Sequence, residues 1–123
     1  MRMRAVLCKS WGGPRDLVVE SVPVPEPKAG QVRIAVQAAG LNFADTLMIA
    51  GKYQERPDFP FVPGLEAAGE IDAVGKGVIG IKEGDRVMAI LGHGAFAERA
   101  LAPAEAVFTI PKTMDVQHAA GFP

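Results

Sequence analysis

Few residues of this 123-residue chain could do chemistry. Asn42 and Asp45 stand three apart at the head of a periodic apolar stretch. An amide followed at that distance by a carboxylate makes a capping box; holding a polar ligand is the alternative use. Tyr53 is the single tyrosine, hence the single phenol. It reads either as a half-buried loop aromatic or as a hydrogen-bond donor. Cys8 lies in an alternating segment with no cue for thiolate activation and is expected to be a small buried hydrophobe. His93 sits in a glycine turn and His118 on a terminal helical stretch, and both are expected in solvent. Asp85 and Arg86 read as a turn and strand start. One cysteine and two histidines allow no internal disulfide and argue against a structural zinc site.

Gly75, Gly77 and Gly80 spell a dinucleotide fingerprint after a strand. That mechanism needs a following helix, whose N-terminal amides hold a pyrophosphate. Here Ile81 is followed by KEGDRV, with Gly84 close behind, and then by a strand. There is no room for the helix, so the glycines read as a tight inter-strand turn.

The positioning elements follow from periodicity and punctuation. Short apolar runs bounded by glycine and proline predict strands over 4–9, 17–22, 31–38, 64–74, 85–91, 95–102 and 106–110. In the third, Val32, Ile34, Val36 and Ala38 point one way and Gln31, Arg33 and Gln37 the other. The fourth, GLEAAGEIDAV, is rich in small residues, which predicts close backbone packing. A helix is predicted over 42–50, with Phe43, Leu47 and Ala50 on one face and Gly51 ending it. The loop over 52–64 carries three prolines near its middle and end and reads as packed. TMDVQHAAGFP begins a helix, with Val116, Ala119 and Ala120 apolar, and the chain stops inside it. A helix that short is marginal by itself, so the ending reads as a cut through a larger arrangement. Seven short strands with one or two short helices make a mainly β barrel or sandwich.

Composition narrows the class further. With 49% hydrophobic and 22% charged residues, residues 1–123 suit one soluble globular domain. A formal net charge of −1 gives no electrostatic footprint for nucleic acid or an anionic membrane. No apolar run approaches the roughly 20 residues of a membrane span, and the start lacks a signal peptide's apolar stretch. The expected compartment is the cytoplasm.

Four runs in order, QVRIAVQAAGLNFADTLMIAGKY, FPFVPGLEAAGEIDAVGKGV, IKEGDRV and GAFAE, carry a family resemblance over nearly the whole chain. It resembles the N-terminal domain of the medium-chain dehydrogenase/reductase superfamily, in its zinc-independent quinone oxidoreductase branch. The resemblance implies a GroES-like partly open β-barrel. It also implies a Rossmann cofactor domain as partner, missing from residues 1–123. Zinc-dependent members carry a cysteine where this chain has Asn42 and a histidine where it has Leu65. They also insert a cysteine-rich lobe after the GDRV strand, which MAILGHGAFAE here closes directly. An amide and an alkyl group cannot serve as those ligands, so no catalytic metal is expected. Glu66 then reads as a structural carboxylate.

By the same resemblance, Asn42 and Asp45 would lie near the nicotinamide and its ribose. Tyr53 would face the substrate as the catalytic hydrogen-bond donor, and Ile49 would line the same wall. The implied reaction moves hydride from NADPH to a quinone or to the β-carbon of a conjugated enone. The cofactor carries the hard step and the protein aligns the partners. The choice of NADPH over NADH rests with ribose-reading residues outside this chain. An enoyl-thioester reductase shares this framework, and the start at Met1 leans toward a free-standing enzyme. A non-enzymatic co-chaperonin-like barrel would instead need a long mobile loop. Near Phe43, Leu47 and Val116 an exposed apolar surface is expected where the Rossmann domain would dock, a surface that favours homo-oligomers.

Overall fold

The structure is a computed structural model that describes residues 1–111 and 113–121. Its strands are β1 (Arg2–Leu7), β2 (Val18–Pro23), β3 (Gln31–Ala39), β4 (Glu66–Val74), β5 (Arg86–Ile90), β6 (Arg99–Pro103) and β7 (Val107–Thr109). Two short helices, α1 (Phe43–Ile49) and α2 (Val116–Ala120), complete the order. The expected mainly β, partly open barrel is what these elements build. None of the described helices is long and apolar enough to cross a membrane.

β6, β3, β4, β5 and β7 form one antiparallel sheet in that order, and β1 pairs with β2 in a smaller one. The stretch before β6 stitches the two together. Val6 donates to the Phe96 carbonyl at 2.9 Å and Glu98 to the Arg4 carbonyl at 3.1 Å, while Val36 donates to the Glu98 carbonyl at 3.0 Å. The strand expected over 95–102 is therefore a corner followed by a strand, because its first half serves the small sheet and its second half the large one. The barrel interior holds Val32, Ile34, Ala67, Ile71, Val87, Ala89, Ala100 and Ala102, all nearly excluded from solvent. Each larger aliphatic there contributes roughly 1.5–3 kcal/mol by burial.

The small residues of β4 do allow close approach. A β-carbon on Gly69 would stand 2.0 Å from the Ala35 carbonyl oxygen. That carbonyl comes near because β3 shifts register between Val36 and Ala38. The glycine fingerprint is a turn, with Gly77 and Gly80 at φ +83° and +85°. Asp85 closes the next turn, its carboxylate accepting from the Lys82 N–H at 3.0 Å, a bond that holds its carboxyl below the usual range.

Two side-chain placements depend on neighbouring elements. Arg33, expected on the side of β3 opposite Val32 and Ile34, is shielded there from solvent. It is 8% exposed, and its guanidinium donates to Asp72 at 2.7 Å and to the Pro25 carbonyl at 3.1 Å. The segment after β2 crosses that face, and Asp72 is shared with Arg99. The α1 stripe that faces the interior is Asp45, Met48 and Ile49, whereas Phe43 is 79% exposed. Met48 and Ile49 pack with Cys8 and Phe61, which sit beside the helix and decide which of its two apolar stripes is covered. At the far end, Asp115 caps α2 by accepting from the His118 N–H at 2.8 Å, and Ala119 and Ala120 pack with Ala68 and Ile110.

Candidate active site

The site begins where β3 hands over to α1. Gly40 donates its N–H to the Glu66 carbonyl at 3.1 Å, pinning the end of β3 to the start of β4. Two residues on, Asn42 takes an extended conformation (φ −129°, ψ 152°) and the helix starts. Its backbone N–H donates to Asp45 Oδ2 at 2.8 Å, and the Asp45 N–H returns to the Asn42 carbonyl at 3.0 Å. Asp45 thus supplies its half of the expected capping box. The Asn42 side chain is engaged elsewhere: its Nδ2 donates to Glu66 Oε1 at 3.1 Å.

Three polar groups are therefore gathered in a poorly hydrated place. Asp45 is 6% exposed and Glu66 9%. Asp45 Oδ1 is buried with no hydrogen-bond partner among the described residues. Burial pushes the Asp45 carboxyl above its ordinary value; the Asn42 N–H opposes the shift and the nearby Glu66 charge adds to it. A cavity of about 280 Å³ opens beside them, lined by Asn42, Asp45, Thr46 and Ile49 together with Leu17, Leu41, Pro63 and Phe96. Its wall is apolar apart from those first three residues, the pattern of a site that orients a ligand with a few polar atoms. A larger open groove of about 610 Å³ runs past Met3, Phe61, His93 and Leu101, and contains none of the site residues named from the sequence.

The structure brings Asn42, Asp45 and Ile49 around one cavity. Tyr53 is half-buried and packs with Cys8, Met48, Ile49 and Phe61; it is not among the residues lining that cavity. Ile49 and Leu17 are common to the cavity wall and to the cluster that holds Tyr53. Cys8 is 1% exposed, and burial raises its thiol pKa, as expected of an inert core residue. His93 is exposed, with an edge contact to Phe61 at 6.0 Å, and His118 is exposed beside Asp115. Of the expected apolar surface, Phe43 is exposed and Leu47 half-buried, while the side chain of Val116 lies outside the described residues. Leu41, 85% exposed, belongs with Phe43 and was not anticipated. Glu66 as a partner of Asn42 was also missed; its signal is an acid heading a strand of small, buried residues. Among the described residues, no three of His, Cys, Asp and Glu come together as metal ligands would.

The raised Asp45 carboxyl has a consequence for stability. Its folded-state pKa exceeds its unfolded value, so the folded protein binds more protons through that window and loses stability as pH rises across it. Asp45→Asn keeps an acceptor for the Asn42 N–H and removes the buried charge. In urea unfolding, the variant is expected to gain on the wild type as pH rises from below the ordinary aspartate range toward neutrality. A stability difference that does not change with pH would refute this.

Comparison with known proteins follows the same lines. Residues 28–112 match the family model described as alcohol dehydrogenase GroES-like domain. The chain is 41% identical over 121 residues to the mouse (Mus musculus) synaptic vesicle membrane protein VAT-1 homolog-like, covering 98% of this chain and 29% of that protein. To the quinone oxidoreductase of Lama guanicoe it is 43% identical over 120 residues, covering 96% and 36%. The crystal structure of the human VAT-1 homolog-like protein superposes with a TM-score of 0.96 at 41% identity, over 100% of this chain and 40% of that one. The Thermus thermophilus quinone oxidoreductase, described together with its NADPH complex, superposes at 0.81 with 38% identity, over 98% and 36%. The chain spans about a third of the length of the curated relatives it matches.

Proposed function

The chain belongs to the alcohol dehydrogenase GroES-like domain family of the medium-chain dehydrogenase/reductase superfamily, and from that premise we propose that it forms the substrate half of a reductase. Hydride would pass from NADPH to a quinone or a conjugated enone, in the cytoplasm. The observation that carries the reading is the apolar cavity with Asn42 and Asp45 on its rim and the unpartnered Asp45 Oδ1 behind it. A nicotinamide and its ribose, flat and apolar with a few hydroxyl and amide groups, fit such a wall.

When bound, the cofactor supplies the hydride. What this chain's residues do is position and polarise. Asn42 and Asp45 hold the ribose and carboxamide end, and Ile49 keeps the substrate side dry. Tyr53 packs with Ile49 outside that cavity; in this reading its phenol would donate a hydrogen bond to the substrate's carbonyl oxygen as negative charge develops there. Asn42 and Leu65 offer no thiolate or imidazole, so the oxygen is polarised here without zinc. Among the described residues no strand, glycine loop and helix follow one another as a pyrophosphate site requires. A second, dinucleotide-binding domain therefore completes the site.

The test is to purify the 123-residue chain alone and joined to the cofactor-binding half of a quinone oxidoreductase relative, each supplied with NADPH and 1,4-benzoquinone. The joined protein is expected to oxidise NADPH and the chain alone is not. Turnover by the chain alone would show that no second domain is needed. Silence of the joined protein toward quinones and enones alike would end the reductase reading.

A further inference from the structure

Glu66 has no part in the chemistry proposed above, yet it is a buried residue, 9% exposed, whose carboxylate sits against the residue that begins the site. The one hydrogen bond its side chain makes among the described residues is with Asn42 Nδ2, at 3.1 Å across 24 positions of sequence. The space it occupies is kept clear by Gly40. A β-carbon there would stand 2.2 Å from Glu66 Oε1 and 2.8 Å from its Cγ and Cδ. Gly40 and Glu66 are also tied through the backbone at 3.1 Å. A carboxylate in this position is held from both sides and aimed at one partner.

An ionised carboxylate only accepts hydrogen bonds, while an asparagine amide has one end that donates and one that accepts. Only the nitrogen end can meet the carboxylate, which leaves the oxygen end free of it. We propose that Glu66 is a positioning residue that locks the Asn42 amide with its nitrogen inward, so that the site presents the Asn42 carbonyl oxygen to its ligand. Beside Asp45 and the Thr46 hydroxyl, whose proton goes to the Phe43 carbonyl, that makes the polar rim of the cavity a set of acceptors. Such a rim selects ligand groups that donate, such as ribose hydroxyls or a primary carboxamide, over ligands that only accept. The choice of a nicotinamide nucleotide as that ligand rests on the reductase reading; the orientation of Asn42 does not.

The experiment is heteronuclear NMR on the 123-residue chain, reading the Asn42 side-chain amide. In the wild type one of its protons is expected downfield and slow to exchange. Glu66→Ala should return it toward the position of a free amide. Glu66→Gln, whose own carbonyl can accept, should restore most of the shift. Gly40→Ala should reproduce the Glu66→Ala spectrum by displacing the carboxylate without removing it, and so keeps the test open if Glu66→Ala fails to fold. Reduced nicotinamide mononucleotide is then titrated into the joined protein described above. Its Kd is expected to rise about tenfold in Glu66→Ala, equivalent to about 1.4 kcal/mol, and to change little in Glu66→Gln. An Asn42 amide signal indifferent to both Glu66→Ala and Gly40→Ala would overturn the proposal. A correct amide signature with no binding of the mononucleotide to the wild type would count against the reductase reading and leave the hold of Glu66 on Asn42 standing.

Discussion

Alanine at Gly69 is expected to cost the fold about 3 kcal/mol or more, a large share of the roughly 5–15 kcal/mol that holds a domain together. The added methyl would meet the Ala35 carbonyl oxygen at 2.0 Å and the Gln37 nitrogen at 3.1 Å, both backbone atoms of the neighbouring strand. A side chain could rotate away; a ladder carbonyl cannot move without opening its own hydrogen bonds. The displacement would spread along the pairing of β3 with β4, from Val36↔Gly69 toward Ala39↔Ala67, the register that sets Gly40 beside Glu66. Gly77 is the control. Its β-carbon would meet open space, so alanine there is penalised only for φ +83°, roughly 1–2 kcal/mol. Denaturant midpoints of the two variants decide the matter. If Gly69→Ala is no worse than Gly77→Ala, the close approach of β3 and β4 is not the constraint argued here.

Asn42→Ala in the joined enzyme is expected to lower kcat/KM for NADPH about 100-fold, the penalty commonly seen when a positioning contact at a reacting centre is lost. The same change strands the Glu66 carboxylate without its donor, which should destabilise the chain by about 1–3 kcal/mol. The two effects are separable. Glu66→Gln in the Asn42→Ala background removes the stranded charge and should recover stability without recovering activity. An unchanged kcat/KM in Asn42→Ala would remove that residue from the site and leave it only the start of a helix.

Much of this protein was legible from local pattern. Short apolar runs set between glycine and proline turns found every strand, although burial along β2 and β4 does not alternate. Glycine and proline marked the turns because few other residues accept their dihedrals, as Gly51 at φ +74° behind α1 shows. Asn42 and Asp45 announced a helix start for a reason contained in four consecutive residues. The same locality let the glycine fingerprint be rejected, since the missing helix is itself a local feature.

What tertiary structure decided was every question whose answer lay on another element. Arg33 alternates correctly for an outward residue, but outward there means beneath the segment after β2 and against Asp72. The spacing of α1 offers two apolar stripes, and only the positions of Cys8 and Phe61 choose Met48 and Ile49 over Phe43. Tyr53 and the Asn42–Asp45 pair share Ile49 as a neighbour yet lie in different surroundings, a separation that no spacing along the chain encodes. Glu66 reaches Asn42 because antiparallel pairing folds 24 positions of sequence into one hydrogen bond. Pattern reports which way a side chain leaves its own backbone. Burial, partners and pKa depend on what the rest of the chain has placed there, and in this protein that is where the candidate site is made.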